Sequence, residues 1–273
     1  MPVSAVRALS RAAESGEPLP LPGCMTTVEQ RGGVFRKGHL VMVAAIPNAG
    51  KSTFAEWLAA NVAWPTLYFS ADQDAWTSTT KLIAALTGED ANRVALNLNA
   101  GEGEGYYEDI LEKSPIQFCF DSNPSLEDMG HEMDAYVETW DSYPDVIVVD
   151  NLVNIQGEGD KSSDMFILSE LHGLARKTKA CVVVLVHASE ASTKDPLRPP
   201  TRKDIINKLS VLPDMVLTVA YDPERSIFYI AVVKTRENKA DPDAKFPIAI
   251  TADFSRVQFG LQAAAPTWGW GGE

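Results

Sequence analysis

One stretch, residues 40–53 (Leu-Val-Met-Val-Ala-Ala-Ile-Pro-Asn-Ala-Gly-Lys-Ser-Thr), limits what this chain can fold into more than any other. Its first six residues are continuously apolar and predict a buried strand. Pro47, Asn48, Ala49 and Gly50 predict a turn, and over 52–62 Phe54, Trp57, Leu58 and Val62 recur at helical spacing. Strand, tight turn, Gly-Lys-Ser and helix, in that order, are what a phosphate-binding loop needs, because backbone N–H groups and the positive end of the helix surround the phosphates. Pro47, Asn48, Ala49, Gly50, Lys51, Ser52 and Thr53 are then the expected nucleotide contacts, with Ala45 opening the pattern. Lys51 is expected to reach the β- and γ-phosphates of ATP and the Ser52 hydroxyl to bind Mg²⁺, while Gly50 lets the backbone come close. Ala45 stands where Gly is usual, so the bare pattern also fits a chance Gly-Lys-Ser. The flanking strand and helix argue for the phosphate loop.

The rest of the chain extends the same alternation. Strands are expected at 66–71, 116–120, 145–150 and 181–186, and helices at 76–86, 91–98, 125–140 and 164–177. Ser125 is a good N-cap for the third of these helices, with Leu126, Met129, Met133, Tyr136, Val137 and Trp140 at helical spacing. Residues 26–38, 101–105 and 151–163 read as loops, rich in Gly and charge. Later strands, at least partly antiparallel, are expected at 215–220, 227–234, 246–250 and 257–259. A short amphipathic helix at 3–14 with Val3, Val6 and Leu9 on one side is cut off by Pro18, Pro20 and Pro22; it needs a surface to pack on, its own domain's or a neighbour's. Residues 262–273 read as a flexible tail.

Alternating apolar strands and helices predict a parallel sheet covered on both faces, with ligands at the carboxyl ends of the strands. Lys51, Asp72, Asp150 and His187 each follow such a strand end. Asp150, after Val-Ile-Val-Val, has the setting of a carboxylate that holds Mg²⁺. Asp72 is expected to orient or deprotonate the attacking water; the alternative, a cap for the next helix, suits Asp74 better. His187 could sense the γ-phosphate, or simply be a satisfied histidine at a strand end. Lys234 and Arg236 share a face of one strand and suit a phosphate supplied by a neighbouring subunit, or else form a solvated edge.

The net charge of −13 argues against nucleic-acid binding by the surface as a whole, yet leaves room for one basic loop: Lys194, Arg198, Arg202, Lys203 and Lys208. No segment has the unbroken apolar length of a membrane span, and 1–18 lacks the apolar core of a signal peptide, so no membrane partner is expected and the cytoplasm is the expected compartment. Of three cysteines, Cys119 and Cys181 lie in apolar runs and are expected to be buried thiols.

Together these pieces resemble the RecA-like ATPase domain of the DnaB replicative helicase family. The loop Ala45-x-x-x-x-Gly50-Lys51-Ser52 is similar to that family's loop, which also commonly begins with Ala. Phe69-Ser70-Ala71-Asp72 resembles its Phe-Ser-Leu-Glu, whose glutamate is catalytic; the acid here is shorter. Residues 146–150 resemble its Walker B strand, and His187 corresponds to a polar residue that is usually Gln. Arg198-Pro199 followed by Asp204 resembles the segment near the central DNA channel. Ile206 replaces the arginine expected there, leaving Arg202, Lys203 and Lys208 as candidate DNA contacts. Lys234-x-Arg236 matches the Lys-x-Arg that reaches the neighbour's nucleotide. The helix at 3–14 resembles the family's linker helix, and no primase-interacting domain is evident before it.

The resemblance implies an α/β, RecA-like P-loop ATPase with a mostly parallel sheet flanked by helices and antiparallel strands toward the C-terminus. Its ATPase unit would span 20–260, between an N-terminal helix and linker at 1–19 and a tail at 261–273. It also implies an ATP- and Mg²⁺-dependent DNA helicase that forms a ring, a hexamer, on single-stranded DNA. Primase, a loader or other replication proteins would be its partners, and the host cytoplasm its place if a phage encodes it. Two other assignments share the fold: a RecA- or KaiC-like recombination ATPase, and a non-motor nucleotide-binding scaffold of a replication complex, a role that the tail with Trp268 and Trp270 would suit.

Overall fold

The computed structural model describes residues 16–157, 163–190, 195–237 and 239–260, together with Ser4 and Arg7. The helix expected at 3–14, Lys194, the centre of the 151–163 loop and the tail fall largely or wholly outside these residues.

The strands are β1 (Leu40–Ala45), β2 (Thr66–Ser70), β3 (Ile116–Cys119), β4 (Val146–Asp150), β5 (Cys181–His187), β6 (Met215–Asp222), β7 (Ile227–Lys234), β8 (Ile248–Asp253) and β9 (Gln258–Phe259). They form one sheet in the order β3-β2-β4-β5-β1-β6-β7-β8-β9. The pairs from β3 through β6 are parallel, and those from β6 to β9 antiparallel. Every residue of β1, β2 and β4 is buried, as expected for central strands covered on both faces.

The pleat sends alternate residues to two separate cores. Val41, Val43, Tyr68, Val148, Val183 and Leu217 pack with helix α2 (Lys51–Val62) and helix α3 (Ala75–Thr87). Leu40, Met42, Phe69, Ile147, Val149 and Val182 pack with α6 (Leu126–Trp140) and α7 (Asp164–Thr178). The remaining helices are α1 (Thr26–Gln30), α4 (Ala91–Asn99) and α5 (Glu104–Leu111). Helix α6 begins as expected, with Ser125 and Asp128 in a reciprocal capping box.

Four expectations need correction. Helix α5 lies where only a turn at 101–105 was expected; its sequence is acidic, and Tyr107 holds it by packing with Ile83 and Val94. Helix α1 lies inside the expected loop at 26–38, where Val28 is buried against the sheet core. Trp140 is 54 % exposed as the last residue of α6, beside the Tyr136 ring. Cys119 is only half-buried, since β3 is an edge strand, whereas Cys181 is fully buried.

The first core is centred on Phe54 of α2, whose ring lies 5.2 Å from Phe228, 5.6 Å from Phe259 and 6.0 Å from Trp57, centroid to centroid. This cluster fixes the helix that follows the phosphate loop. Phe54→Ala should cost about 3–5 kcal/mol of stability, measured by urea denaturation, with nucleotide affinity falling alongside.

Candidate nucleotide-binding site

Parallel register brings the sequence-predicted residues together. Ala45 at the end of β1 pairs with His187 at the end of β5, and Ser70 of β2 pairs with Asp150 of β4. The turn after β1 therefore sits beside His187, and the segment after β2 beside Asp150. Lys51, the first residue of α2, is buried, with Nζ 3.4 Å from His187 Nδ1. On the ring's other side, Asn151 Nδ2 lies 2.7 Å from Nε2 and donates to Asp72 Oδ2 at 3.3 Å. Asn151 thus links Asp72 to His187.

His187 is pushed down from its usual value by burial first and then by the Lys51 charge, so its ring is neutral at pH 7. A neutral imidazole accepts a hydrogen bond at only one nitrogen. Lys51 and Asn151 both approach with N–H groups, so the ring satisfies one of them at a time. Lys51 is itself pushed down by burial, against the pull of Asp150 and Asp72. A buried lysine short of anionic partners is well placed to receive a phosphate.

Asp150 is buried and accepts a hydrogen bond from the Tyr68 phenol at 3.0 Å. Burial raises its pKa; the nearby Ser52 hydroxyl and the Tyr68 hydrogen bond oppose the rise. Its other oxygen, Oδ1, is buried without a partner. An orphaned carboxylate oxygen beside the Ser52 hydroxyl fits a hard cation such as Mg²⁺. Of the two carboxylates after β2, Asp74 caps α3, accepting from Thr77 N at 2.7 Å. Asp72 is exposed at the mouth of the site.

Pro47, Asn48, Ala49 and Gly50 form the turn, and Thr53 follows on α2. Gly50 has φ of +82°, and a Cβ there would lie 2.2 Å from the Phe254 ring, which stacks on Tyr221. No sequence pattern points to Phe254, which arrives from the β8–β9 turn. A second residue missed by sequence is Glu56 of α2, 1 % exposed. A charge there reads as solvent-facing, but α3 covers that side. Burial raises its pKa to about 8; Lys81 opposes this and the Asp150 charge adds to it.

Lys234 and Arg236 are not part of this cluster. Lys234 pairs with Val216 at the start of β6, and β6 starts level with Val41 of β1. Both cations thus lie toward the amino edge of the sheet, opposite the 47–53 turn: by strand rise Lys234 is about 10 Å below the level of Ala45 and Arg236, beside Asp214 and Leu40, about 17 Å below it. Lys234 donates to the carbonyls of Val211 and Pro213, each at 2.5 Å, and burial pushes its pKa down to about 8. Arg236 is 54 % exposed and lies 3.1 Å from Asp214, which also accepts from the Leu40 N–H and faces His172. Of the candidate DNA contacts, Arg202 is half-buried and donates to Ser210 Oγ at 3.3 Å, while Lys203 and Lys208 are exposed. Their segment is tied to the end of β5 by the Ala188–Ile205 bridge and by Ser189 N donating to the Asp204 carbonyl.

A strand–turn–helix carrying Gly50-Lys51-Ser52 with a buried carboxylate nearby, on a parallel sheet that ends in antiparallel strands, is the arrangement of a RecA-like fold. Residues 21–227 match the family model described as the DnaB-like helicase C-terminal domain, and the chain belongs to that family. Among curated relatives, it is 31 % identical over 250 residues to the Gene 65 protein of Mycobacterium phage L5, covering 88 % of this chain and 90 % of that one. It is 31 % identical over 230 residues to the Gene 65 protein of Mycobacterium phage D29, covering 81 % and 95 %. The fold matches a separately solved ATPase domain with a TM-score of 0.78 and 16 % identity, over 96 % of this chain and 100 % of the other. It matches a DnaB-like replicative helicase, solved for its interactions with primase, with a TM-score of 0.74 and 16 % identity, over 95 % of this chain and 67 % of the other. The chain is thus a helicase-type ATPase domain by family.

The local geometry generates two predictions. Gly50→Ala forces a side chain into the left-handed region and against Phe254, so nucleotide binding should weaken at least about tenfold, read by fluorescent-nucleotide titration; Gly50→Ala with Phe254→Ala relieves only the clash and should recover only in part. For Glu56 the folded pKa lies above its ordinary 4.5. The folded chain then keeps a proton that the unfolded chain loses, and stability falls as pH rises from about 4.5 to about 8. Glu56→Gln lacks this slope and should gain up to about 3.5 kcal/mol over the parent between pH 5 and pH 8, measured by denaturation at each pH.

Proposed function

We propose that the protein is an ATP-driven translocase that works as a ring, a hexamer, on single-stranded DNA. The observation that carries this reading is the separation of Lys51 from Lys234 and Arg236 at opposite edges of one sheet. No arginine side chain spans that distance, so Arg236 serves a phosphate only if the phosphate belongs to a neighbouring subunit. Residues 20–260 act as the ATPase unit.

In this reading Lys51 and the backbone of residues 47–53 bind the phosphates of ATP. Ser52 and Asp150 hold Mg²⁺, which supplies charge neutralisation on the β- and γ-phosphates. Asp72 orients the attacking water and takes its proton. Arg236, with Lys234, stabilises the charge that builds on the neighbour's γ-phosphate. His187 meets the γ-phosphate and exchanges its contacts with Lys51 and Asn151. The bridge from Ala188 to Ile205 supports transmission of that exchange to the segment carrying Arg202, Lys203 and Lys208. These cations contact DNA phosphates, a small basic strip on an otherwise acidic body.

No helix among the described residues is long and apolar enough to cross a membrane. The host cytoplasm is the proposed place of action, with primase, a loader or other replication proteins as partners.

ATP hydrolysis with and without single-stranded DNA tests this reading. Stimulation by DNA and loss of turnover in Lys51→Ala are expected. Arg236→Ala should still bind nucleotide but hydrolyse it about 1,000-fold more slowly. Mixing Lys51→Ala with Arg236→Ala subunits should restore part of the activity, because the first lends its arginine to the intact phosphate loop of the second. No recovery on mixing, or nucleotide binding without turnover in the parent chain, overturns the motor reading in favour of a scaffold.

A further inference from the structure

We infer that Glu56 is a positioning residue of the hydrolysis site: with Lys81 and Gln73 it clamps the turn that carries Asp72 to the helix that carries Lys51. The inference rests on the reading above, in which Asp72 handles the attacking water.

Glu56 follows Ser52 by four residues, so it sits one helical turn further along the same face of α2. There it is buried, on a helix against which α3 packs. The charged and titratable groups that face it are Lys81 from α3, Asp150 from β4 and the Tyr68 phenol from β2. Neither carboxyl oxygen has a partner at hydrogen-bonding distance; Lys81 Nζ is 3.9 Å from Oε2, and the Gln73 side chain also faces the group. The same Lys81 ammonium donates to Gln73 Oε1 at 2.5 Å. Gln73 immediately follows Asp72. Its carbonyl accepts from Ser70 Oγ at 3.3 Å, and Ser70 Oγ lies 3.3 Å from Ser78 Oγ.

The turn is therefore held at both ends by local bonds: Ser70 before Asp72 and the Asp74 cap after it. Its middle is held from two sides: Ala71 N donates to the Asp150 carbonyl at 2.8 Å and Asn151 Nδ2 to Asp72 Oδ2 at 3.3 Å on the β4 side, and on the helix side the Gln73 side chain meets Lys81 and, through it, Glu56. Without a carboxyl at position 56, the Lys81 ammonium keeps only its bond to Gln73 Oε1 among these contacts. A long, flexible ammonium then returns to water, Gln73 loses its partner, and Asp72 gains freedom beside Asn151.

A purely structural role makes the opposite forecast for stability. A buried carboxyl with unfilled hydrogen-bonding capacity costs stability, so an aliphatic side chain of similar size should hold the fold at least as well. If Glu56 positions Asp72, its removal should leave the fold intact and slow turnover.

The test compares Glu56→Leu, Glu56→Gln and the parent for ATP hydrolysis, thermal melting at pH 8 and amide hydrogen exchange over residues 71–76. Glu56→Leu should melt no lower than the parent, keep KM for ATP within about twofold and lose at least about tenfold in kcat. Its amides at 71–74 should exchange faster. Glu56→Gln, which keeps the shape and a polar tip, should restore most of the kcat. In a chain already carrying Asp72→Asn, Glu56→Leu should change the residual rate no further. Unchanged kcat and exchange overturns the inference, as does a fall in melting temperature with a matching rise in KM, or a further loss in the Asp72→Asn background. If the parent itself hydrolyses no ATP, the proposed function fails; faster exchange at 71–74 in Glu56→Leu then still supports the clamp, and unchanged exchange removes it.

Discussion

Parallel pairing in register is the constraint on which the site depends. Strands β2, β4, β5 and β1 run in one direction and are hydrogen-bonded to one another in a continuous ladder. Their carboxyl ends therefore fall at one level. A lysine, two carboxylates, an asparagine and a histidine from four distant stretches of sequence become neighbours without any one loop having to find the others. A slip of one residue between β2 and β4 would part Ser70 from Asp150 and turn every side chain of one strand to the wrong core. The two apolar cores, one on each face, resist that slip. The same burial that makes the strands legible as unbroken apolar runs thus also aligns their polar ends.

That link explains how much of the fold and site is legible in the sequence. Strands β1, β4 and β5 announce themselves by continuous Val, Leu and Ala. The polar residues at or just beyond each strand end are candidates for the site, because the topology of such sheets puts ligands there. The division of labour between Asp74 and Asp72 is also legible, since only Asp74 stands immediately ahead of the helix it caps. Other features depend on packing that leaves no periodic trace. Asn151 is an ordinary residue after an aspartate until it is seen between Asp72 and His187. Glu56 resembles a solvent-facing charge because helix amphipathicity is judged against one covered face, whereas α2 is covered on two. Helix α5 is acidic and short, and its one buried anchor, Tyr107, gains meaning only from the hydroxyl bonds that it makes to Asn97 and Glu89. Trp140 errs in the other direction: its spacing is right, but it closes the helix at an exposed end.

The interior near the phosphate loop holds more polar groups than a stability argument alone would place there. Lys51, Glu56 and Asp150 are all buried, and each has its pKa shifted first by burial. The aromatic cluster of Phe54, Trp57, Phe228 and Phe259 offsets this on the far side of the helix, and Phe254 presses on Gly50 from the same side. The loop is thus held from behind by apolar contacts and left electrostatically unfinished in front, an arrangement that a bound polyphosphate with its cation would complete.

The reversal of chain direction between β6 and β7 has a consequence for symmetry. It carries the Lys234–Arg236 pair back to the amino edge of the sheet, while the phosphate loop stays at the carboxyl edge. If one composite site is made from these two unlike surfaces and the subunits meet head to tail, the contact is heterologous. Each added copy leaves one surface of each kind open. The angle between the two surfaces of a single chain, rather than the strength of their contact, then determines whether the series closes on itself and after how many copies.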